Sequence, residues 1–422
     1  MVGNTPLVEI RHFDIGPCRL FAKLESQNPG GSIKDRIAIG MIDAAARDGK
    51  LKPGGRIVEA TAGNTGLALA LVASLRGYKL TLVIPDKMSR EKVLHCKALG
   101  AEVHMARSDV GKGHPEYYQD VAARIASETQ GFYVNQFENP ANALTHETTT
   151  APEIWRQMDY NVDAIVCGVG SGGTLTGIGN FFKRVNPRLE MILADPVGSI
   201  LEPLVNRNEK VTPGSWVVEG IGEDFIPPVL DLSLTRKAYA VTDEESVAAA
   251  RSLLMKEGIL AGPSSGTLFA AALRYCREQK TPKRVVTLIC DRGDKYLSKT
   301  FNDFWMTEQG FSRRVKTGTV EDLIVRRHDQ NDTVIVRDGD TVLTAYKRMR
   351  MADISQLPVI DDDNRFVGLI DEAALLRHMT ATSSPRLDAP VREVMDVPQP
   401  QLPPTATLNE AANVLKTHSR II

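Results

Sequence analysis

Short apolar runs rich in β-branched residues recur through the first part of the chain. They are Arg56–Ala60 (RIVEA), Leu80–Pro85 (LTLVIP), Ala164–Cys167 (AIVC), Met191–Ala194 (MILA) and Val285–Cys290 (VVTLIC). Longer Ala- and Leu-rich segments separate them, among them GLALALVASLRG and SGTLFAAALRYC. Continuous apolar strands alternating with helices predict parallel β-sheet covered on both faces, an α/β fold.

The rhythm stops near residues 299–317, where bulky aromatics and a charged tail predict a helical connector. A second unit follows over 318–422 with its own pattern. TVEDLIV and DTVLTAYKRMRMADI in its first half pair with PVREVMD and ATLNEAANVLKTHSR in its second. This is an internal repeat with a period of roughly 60 residues. The first copy carries LPVIDDDNRFVGLID; the second ends at Ile422 before an equivalent segment. The pattern therefore divides the chain into 1–298, 299–317 and 318–422, with an incomplete second repeat.

Composition narrows the classes. The 422 residues are 42% hydrophobic and 24% charged, with a net charge of −1. No whole-chain basic field points to nucleic acid or an anionic membrane. No apolar stretch approaches the roughly 18–20 residues that span a bilayer. The start, MVGNTPLVEI, lacks the basic and apolar regions of a secretory signal. The five cysteines form no CxxC and no Cys/His cluster with metal-ligand spacing, so a reduced, cytoplasmic protein without a metal is expected.

Three Gly/Ser-rich segments carry candidate chemistry. In CGVGSGGTLTGIG an apolar strand runs into Gly170, Ser171, Gly172, Gly173 and Thr174 and then a helix start. Backbone N–H groups, hydroxyls and a helix N-terminus make a phosphate cradle. It is no Walker A loop, and its glycine spacing differs from the dinucleotide fingerprint. EATAGNTGLALA brings Thr61, Ala62, Gly63, Asn64 and Thr65 to another helix start, suited to a carboxylate. LAGPSSGTLFAAAL places Ser264 and Ser265 at a third strand–helix junction on a sheet edge. Each could be an ordinary capped turn. All three are expected at C-terminal ends of parallel strands, where open α/β sheets bind ligands. With Lys34 in NPGGSIKDR, a phosphate loop, a carboxylate loop and a lysine suit pyridoxal phosphate acting on an amino acid.

NPGGSIKDR, EATAGNTG, GVGSGGTLTG, QFENPANALTHETTTAPEIW, EGIGEDFIPPVLD and GPSSGT resemble, in order, the motifs of fold-type II pyridoxal-phosphate enzymes. Within that group they are similar to the cysteine synthase and cystathionine β-synthase branch, the bacterial cystathionine β-synthases above all. The resemblance covers residues 1 to about 310. The C-terminal repeat looks like a CBS-domain pair, or Bateman module.

The resemblance implies roles. Lys34 would hold pyridoxal 5'-phosphate as a Schiff base and then act as general base. Asn64 would bond the cofactor's ring oxygen, Gly170–Thr174 its phosphate, and Ser264 would face its pyridine nitrogen. Thr61–Thr65 and Gln136 would take the substrate carboxylate. Ala62 stands where relatives usually carry serine, so one hydroxyl is lost. Gly220 and Glu223 of EGIGEDFIP would border the second substrate.

The expected reaction joins L-serine and L-homocysteine to L-cystathionine and water, with hydrogen sulfide released when cysteine replaces serine. ADPVGS, Glu223 and the C-terminal repeat favour it. A cysteine synthase using O-acetylserine and sulfide is the alternative, and a non-catalytic ligand sensor a further one. The core motif VGNTPL begins at Val2 with no haem-bearing segment before it, so no haem is expected. In GLIDEAAL, Asp371 and Ala374 occupy the Ser/Thr and Asp positions of the adenosyl-binding element, which weakens an adenosyl ligand. A homodimer or a tetramer of dimers is expected.

Overall fold

The computed structural model describes residues 1–61, 63–86, 90–111, 113–311, 317–324, 332–381, 386–396 and 400–418. It divides into a unit spanning Met1–Asn302 and a unit spanning Asp303–Ile422.

Two sheets build the first unit. Strands β1 (Leu7–Glu9), β2 (Arg19–Lys23), β7 (Ala164–Gly168), β8 (Glu190–Pro196), β9 (Thr235–Val241) and β10 (Arg284–Leu288) form one, in the order β1-β2-β10-β7-β8-β9. Only β1 runs antiparallel to its neighbour. Strands β3 (Arg56–Ala60), β4 (Lys79–Pro85), β5 (Glu102–Ala106) and β6 (Phe132–Tyr133) form an all-parallel second sheet, ordered β5-β4-β3-β6. The second sheet is inserted between strands of the first, so the chain leaves one half and returns to it.

Strand pleat explains the burial. Along β3, Ile57 joins a core with Leu67, Leu80 and Met41, while Val58 and Ala60 join another with Val83, Ala122 and Ala126. Successive side chains point to opposite faces, and both faces are covered by helices. The larger sheet is likewise buried, with Ile165, Val166, Ile192 and Val286 at 0% exposure.

The expected strands recur with small shifts. VVTLIC ends as a strand at Leu288. Beyond it, Cys290 turns off: its N–H donates to Ser265 Oγ at 2.9 Å and its carbonyl accepts from Ile33 N–H at 2.8 Å. The GPSSG segment departs from expectation more fully. No strand precedes it directly; it follows the helix Asp243–Glu257 and is tied to the 290–293 turn by an isolated bridge between Ala261 and Arg292 and by hydrogen bonds from Gly262 N–H to Asp291 O and from Gly293 N–H to Leu260 O. Ser264 and Ser265 are buried in the first turn of the helix Pro263–Glu278 rather than placed on a sheet edge.

In the second unit, β11 (Val336–Arg337), β12 (Gln356–Ile360) and β13 (Phe366–Asp371) form a sheet around their own core. The two repeat copies show matching parts. Short 3-10 turns at Val320–Leu323 and Val391–Glu393 correspond. So do the helices Val342–Ala352 and Leu408–Leu415, capped by Thr341 and Thr407. No helix of the described residues is long and apolar enough to cross a membrane.

Candidate active site

Lys34 opens the helix Lys34–Arg47, which follows the C-terminal end of β2. The two residues after it fix its place. Asp35 accepts from Gly30 N–H at 2.5 Å, and a side chain at Gly30 would collide with that carboxylate. Arg36, 3% exposed, bonds Glu25 through Nε and Nη2 at 2.6 and 2.8 Å and pairs with Glu153 at 2.7 Å. A buried charge held on two sides cannot shift without exposing an unpaired partner. The KDR sequence thus anchors the turn that presents the lysine.

Lys34 Nζ has no hydrogen-bond or ion-pair partner among the described residues. Lys34 is half-buried by accessible surface, yet enclosed enough that desolvation pulls its amine below the ordinary lysine range. Cys290, Asp291 and Glu223 are close enough to oppose part of that pull. Lowering of this kind raises the fraction of neutral amine available as a base.

The phosphate-type loop follows β7. Its glycines are sterically required. A Cβ on Gly170 would lie 2.5 Å from Gly220 O, and one on Gly173 would lie 1.9 Å from Asn142 Oδ1. Gly172 has φ of +88°, a left-handed conformation costly for other residues. The helix Gly173–Val185 has no side-chain cap, so its first-turn N–H groups face the loop free for an anion. Ser171 accepts from Asn142 Nδ2 at 2.9 Å, and Thr174 Oγ1 lies 3.2 Å from His146 Nε2.

His146 and Asn142 were not picked out by the sequence reading, although both lie in QFENPANALTHETTTAPEIW. His146 is fully buried, which pushes its imidazole well below its usual pKa, so it holds Thr174 as a neutral ring. It begins a π-helical turn, His146–Thr150. Thr145, Thr148 and Thr149 bond carbonyls one turn back, at 2.6, 2.8 and 2.7 Å, and so favour the widened turn. A threonine run beside a histidine inside a helix was the available signal.

The carboxylate-type loop follows β3. The helix Asn64–Arg76 starts at Gly63 without a side-chain cap. Thr65 Oγ1 donates to Gln136 Oε1 at 2.7 Å, which brings these two residues together. Ala62 lies outside the described residues. Asn64 Nδ2 donates to Asp291 Oδ2 at 2.7 Å and Asn64 Oδ1 accepts from Lys295 at 2.9 Å. Asp291 and Lys295 come from the turn after β10, which the sequence reading left unassigned.

The helix Pro263–Glu278 is a further uncapped start, so the N-termini carrying Lys34, Asn64, Gly173 and Ser264 all lack side-chain caps. Glu223 lies over the phosphate-type loop, its Oε1 4.0 Å from where a Gly170 Cβ would be. Burial lifts its carboxyl well above the ordinary range, and Asp224 and Asp195 add to the lift. Gly220, at φ +89°, turns the chain beside it.

These residues fit pyridoxal phosphate. A neutral-donor phosphate cradle that admits no Cβ, an unpaired amine and a buried Ser264 hydroxyl with no described partner form a complementary donor set. Among the described residues no group of His, Cys, Asp and Glu could hold a metal ion.

In the second unit a cavity of about 680 Å³ is lined by Thr333, Val334, Met349, Ile354, Pro358 and Leu369 among others. Asp371 accepts from Ala374 N–H at 2.6 Å and so caps its own helix.

Comparison with known proteins matches residues 1–291 to a family described as pyridoxal-phosphate dependent enzyme, and residues 320–381 to the CBS domain. A cystathionine beta-synthase of Apis mellifera is 39% identical over 86% of this chain and 73% of its own length. Cysteine synthase A of Escherichia coli is 43% identical over 70% of this chain and 92% of its own. The crystal structure of a hydrogen sulfide-producing enzyme from Fusobacterium nucleatum is 35% identical, with a TM-score of 0.66, over 70% of this chain and 97% of that one.

Proposed function

The chain belongs to the pyridoxal-phosphate dependent enzymes, in the group of the cystathionine beta-synthases with a C-terminal CBS domain, and from that premise we propose how its residues work. The reaction is β-replacement: the hydroxyl of L-serine gives way to the thiol of L-homocysteine, yielding L-cystathionine and water. Pyridoxal phosphate, when bound, supplies the electron sink that makes the substrate Cα–H acidic and the Cβ substituent labile.

The chain's own residues do the rest. Gly170–Thr174 and the uncapped helix behind them bind the phosphate. Asn64 would bond the ring oxygen, and Ser264 would face the ring nitrogen with a hydroxyl too weakly acidic to protonate it. The 61–65 loop and Gln136 fix the substrate carboxylate, which sets Cα over Lys34. Lys34 Nζ, its pKa lowered by desolvation, takes the Cα proton; the same group, now an ammonium, gives a proton to the departing β-hydroxyl oxygen. Glu223 and Gly220 border the approach of the thiol substrate.

The observation that carries this reading is the unpaired Lys34 amine beside uncapped helix N-termini. Lys34→Ala is expected to abolish turnover and the visible absorbance of bound cofactor while the protein stays folded. A variant with normal turnover contradicts the assignment.

A cysteine synthase activity is the second reading, favoured by the 43% identity to a cysteine synthase A. The similarity to the cystathionine beta-synthase extends further along the chain, over 372 residues against 301. Cysteine in place of serine would release hydrogen sulfide through the same steps. The five free cysteines accord with a cytoplasmic setting.

A further inference from the structure

Among the buried lysines that the mechanism above leaves unused, Lys92 reaches toward the site. Lys92, on the helix Arg90–Ala98, is 3% exposed. Its Nζ donates to Glu219 Oε2 at 2.6 Å and to the Tyr296 hydroxyl at 3.0 Å. It also lies 4.4 Å from the Tyr296 ring centroid. Tyr296, 1% exposed, donates in turn to Asp291 Oδ2 at 2.6 Å. That oxygen is the one that accepts from Asn64 Nδ2 at 2.7 Å. Glu219 takes a second cation, Lys299, at 2.7 Å.

The path therefore runs Lys92 to Tyr296 to Asp291, where Asn64 arrives from the other side. It joins the two halves of the catalytic unit. Lys92 follows β4 of the smaller sheet, whereas Glu219 and Asp291 follow strands of the larger one. The Lys92 stem also backs the carboxylate-type loop: a Cβ on Gly63 would lie 2.7 Å from Lys92 Cδ. Glu219 immediately precedes Gly220 and stands four residues before Glu223, so its anchoring holds the loop that borders the thiol substrate.

We propose that Lys92 is a positioning residue that locks Asn64 and the Glu219–Glu223 loop into one arrangement across Lys34. It touches neither substrate nor cofactor and acts through Tyr296–Asp291 on one side and Glu219 on the other. A hydrogen-bonded relay of buried groups has few alternative geometries, so loss of its charged member loosens both ends together. The inference rests on the reading that Asn64 contacts the cofactor.

The test compares K92M, K92R, Y296F and N64A as purified holoenzymes. K92M keeps the stem volume and removes the charge. It is expected to shift the bound-cofactor absorbance in the direction that N64A does, and to raise the KM of both substrates by about tenfold or more, the scale of a modest misplacement. K92R should restore part of both. Y296F leaves every charge in place and should reproduce the spectral shift alone, which keeps the proposal testable if K92M does not fold. Wild-type spectra in K92M or Y296F beside an altered N64A would overturn the proposal, even if thermal stability fell. An unaltered N64A would instead contradict the cofactor contact on which it rests.

Discussion

Glu59 illustrates how one buried group governs stability against pH. It is fully buried on β3, and neither carboxylate oxygen has a hydrogen-bond partner of proper geometry among the described residues. Burial pushes its pKa up to about 8, against a partial pull from the backbone N–H groups of Gln136, Ala60 and Asn135. The folded state therefore keeps a proton that the unfolded chain releases near the ordinary value of 4.5. Its contribution is greatest at low pH and declines as pH rises from about 4.5 to about 8. Glu59→Gln, which mimics the protonated form, should remove that decline. Urea unfolding at pH 5 and pH 8 should show the variant gaining on the parent at the higher pH; parallel behaviour would contradict the protonated state.

At the scale of elements, the glycine loop and its supporting helix are one device. Gly173→Ala would drive a methyl into Asn142, which also holds Ser171 and Gln136 O. Cofactor retention on dialysis should fall markedly while the sheets stay intact, and undiminished retention would contradict the cradle. The central strands β3, β4, β7 and β8 were legible in the sequence because burial on both faces makes them largely apolar, with Glu59 and Thr81 among the exceptions. Edge strands such as β5, with a largely exposed EVHMA, and β9, with TRKAYAV, gave no such run. The GPSSG junction misled for a related reason: glycine and serine mark a helix start whether or not a strand precedes it. The glycines of the phosphate-type loop stood out because close backbone approach demands them, whereas Lys34 and Asn64 were assigned through the resemblance. His146, Asn142 and Lys92 were not legible, because they act through contacts between segments distant in sequence.

For the whole molecule, the cofactor-type residues all lie within Met1–Asn302, which has its own cores. A chain ending at Asn302 should retain cofactor and β-replacement. Loss of cofactor from a folded, truncated chain would show that the C-terminal unit is needed to form the site. The CBS unit brings a separate cavity, and its Asp371 caps the helix that follows it through one carboxylate oxygen. Which thiol the catalytic unit prefers is decided by turnover. The most direct measurement is steady-state kcat/KM for L-serine with L-homocysteine against O-acetylserine with sulfide, on the same preparation. Cystathionine formation is expected to dominate; a preference of orders of magnitude for O-acetylserine and sulfide would contradict the assignment.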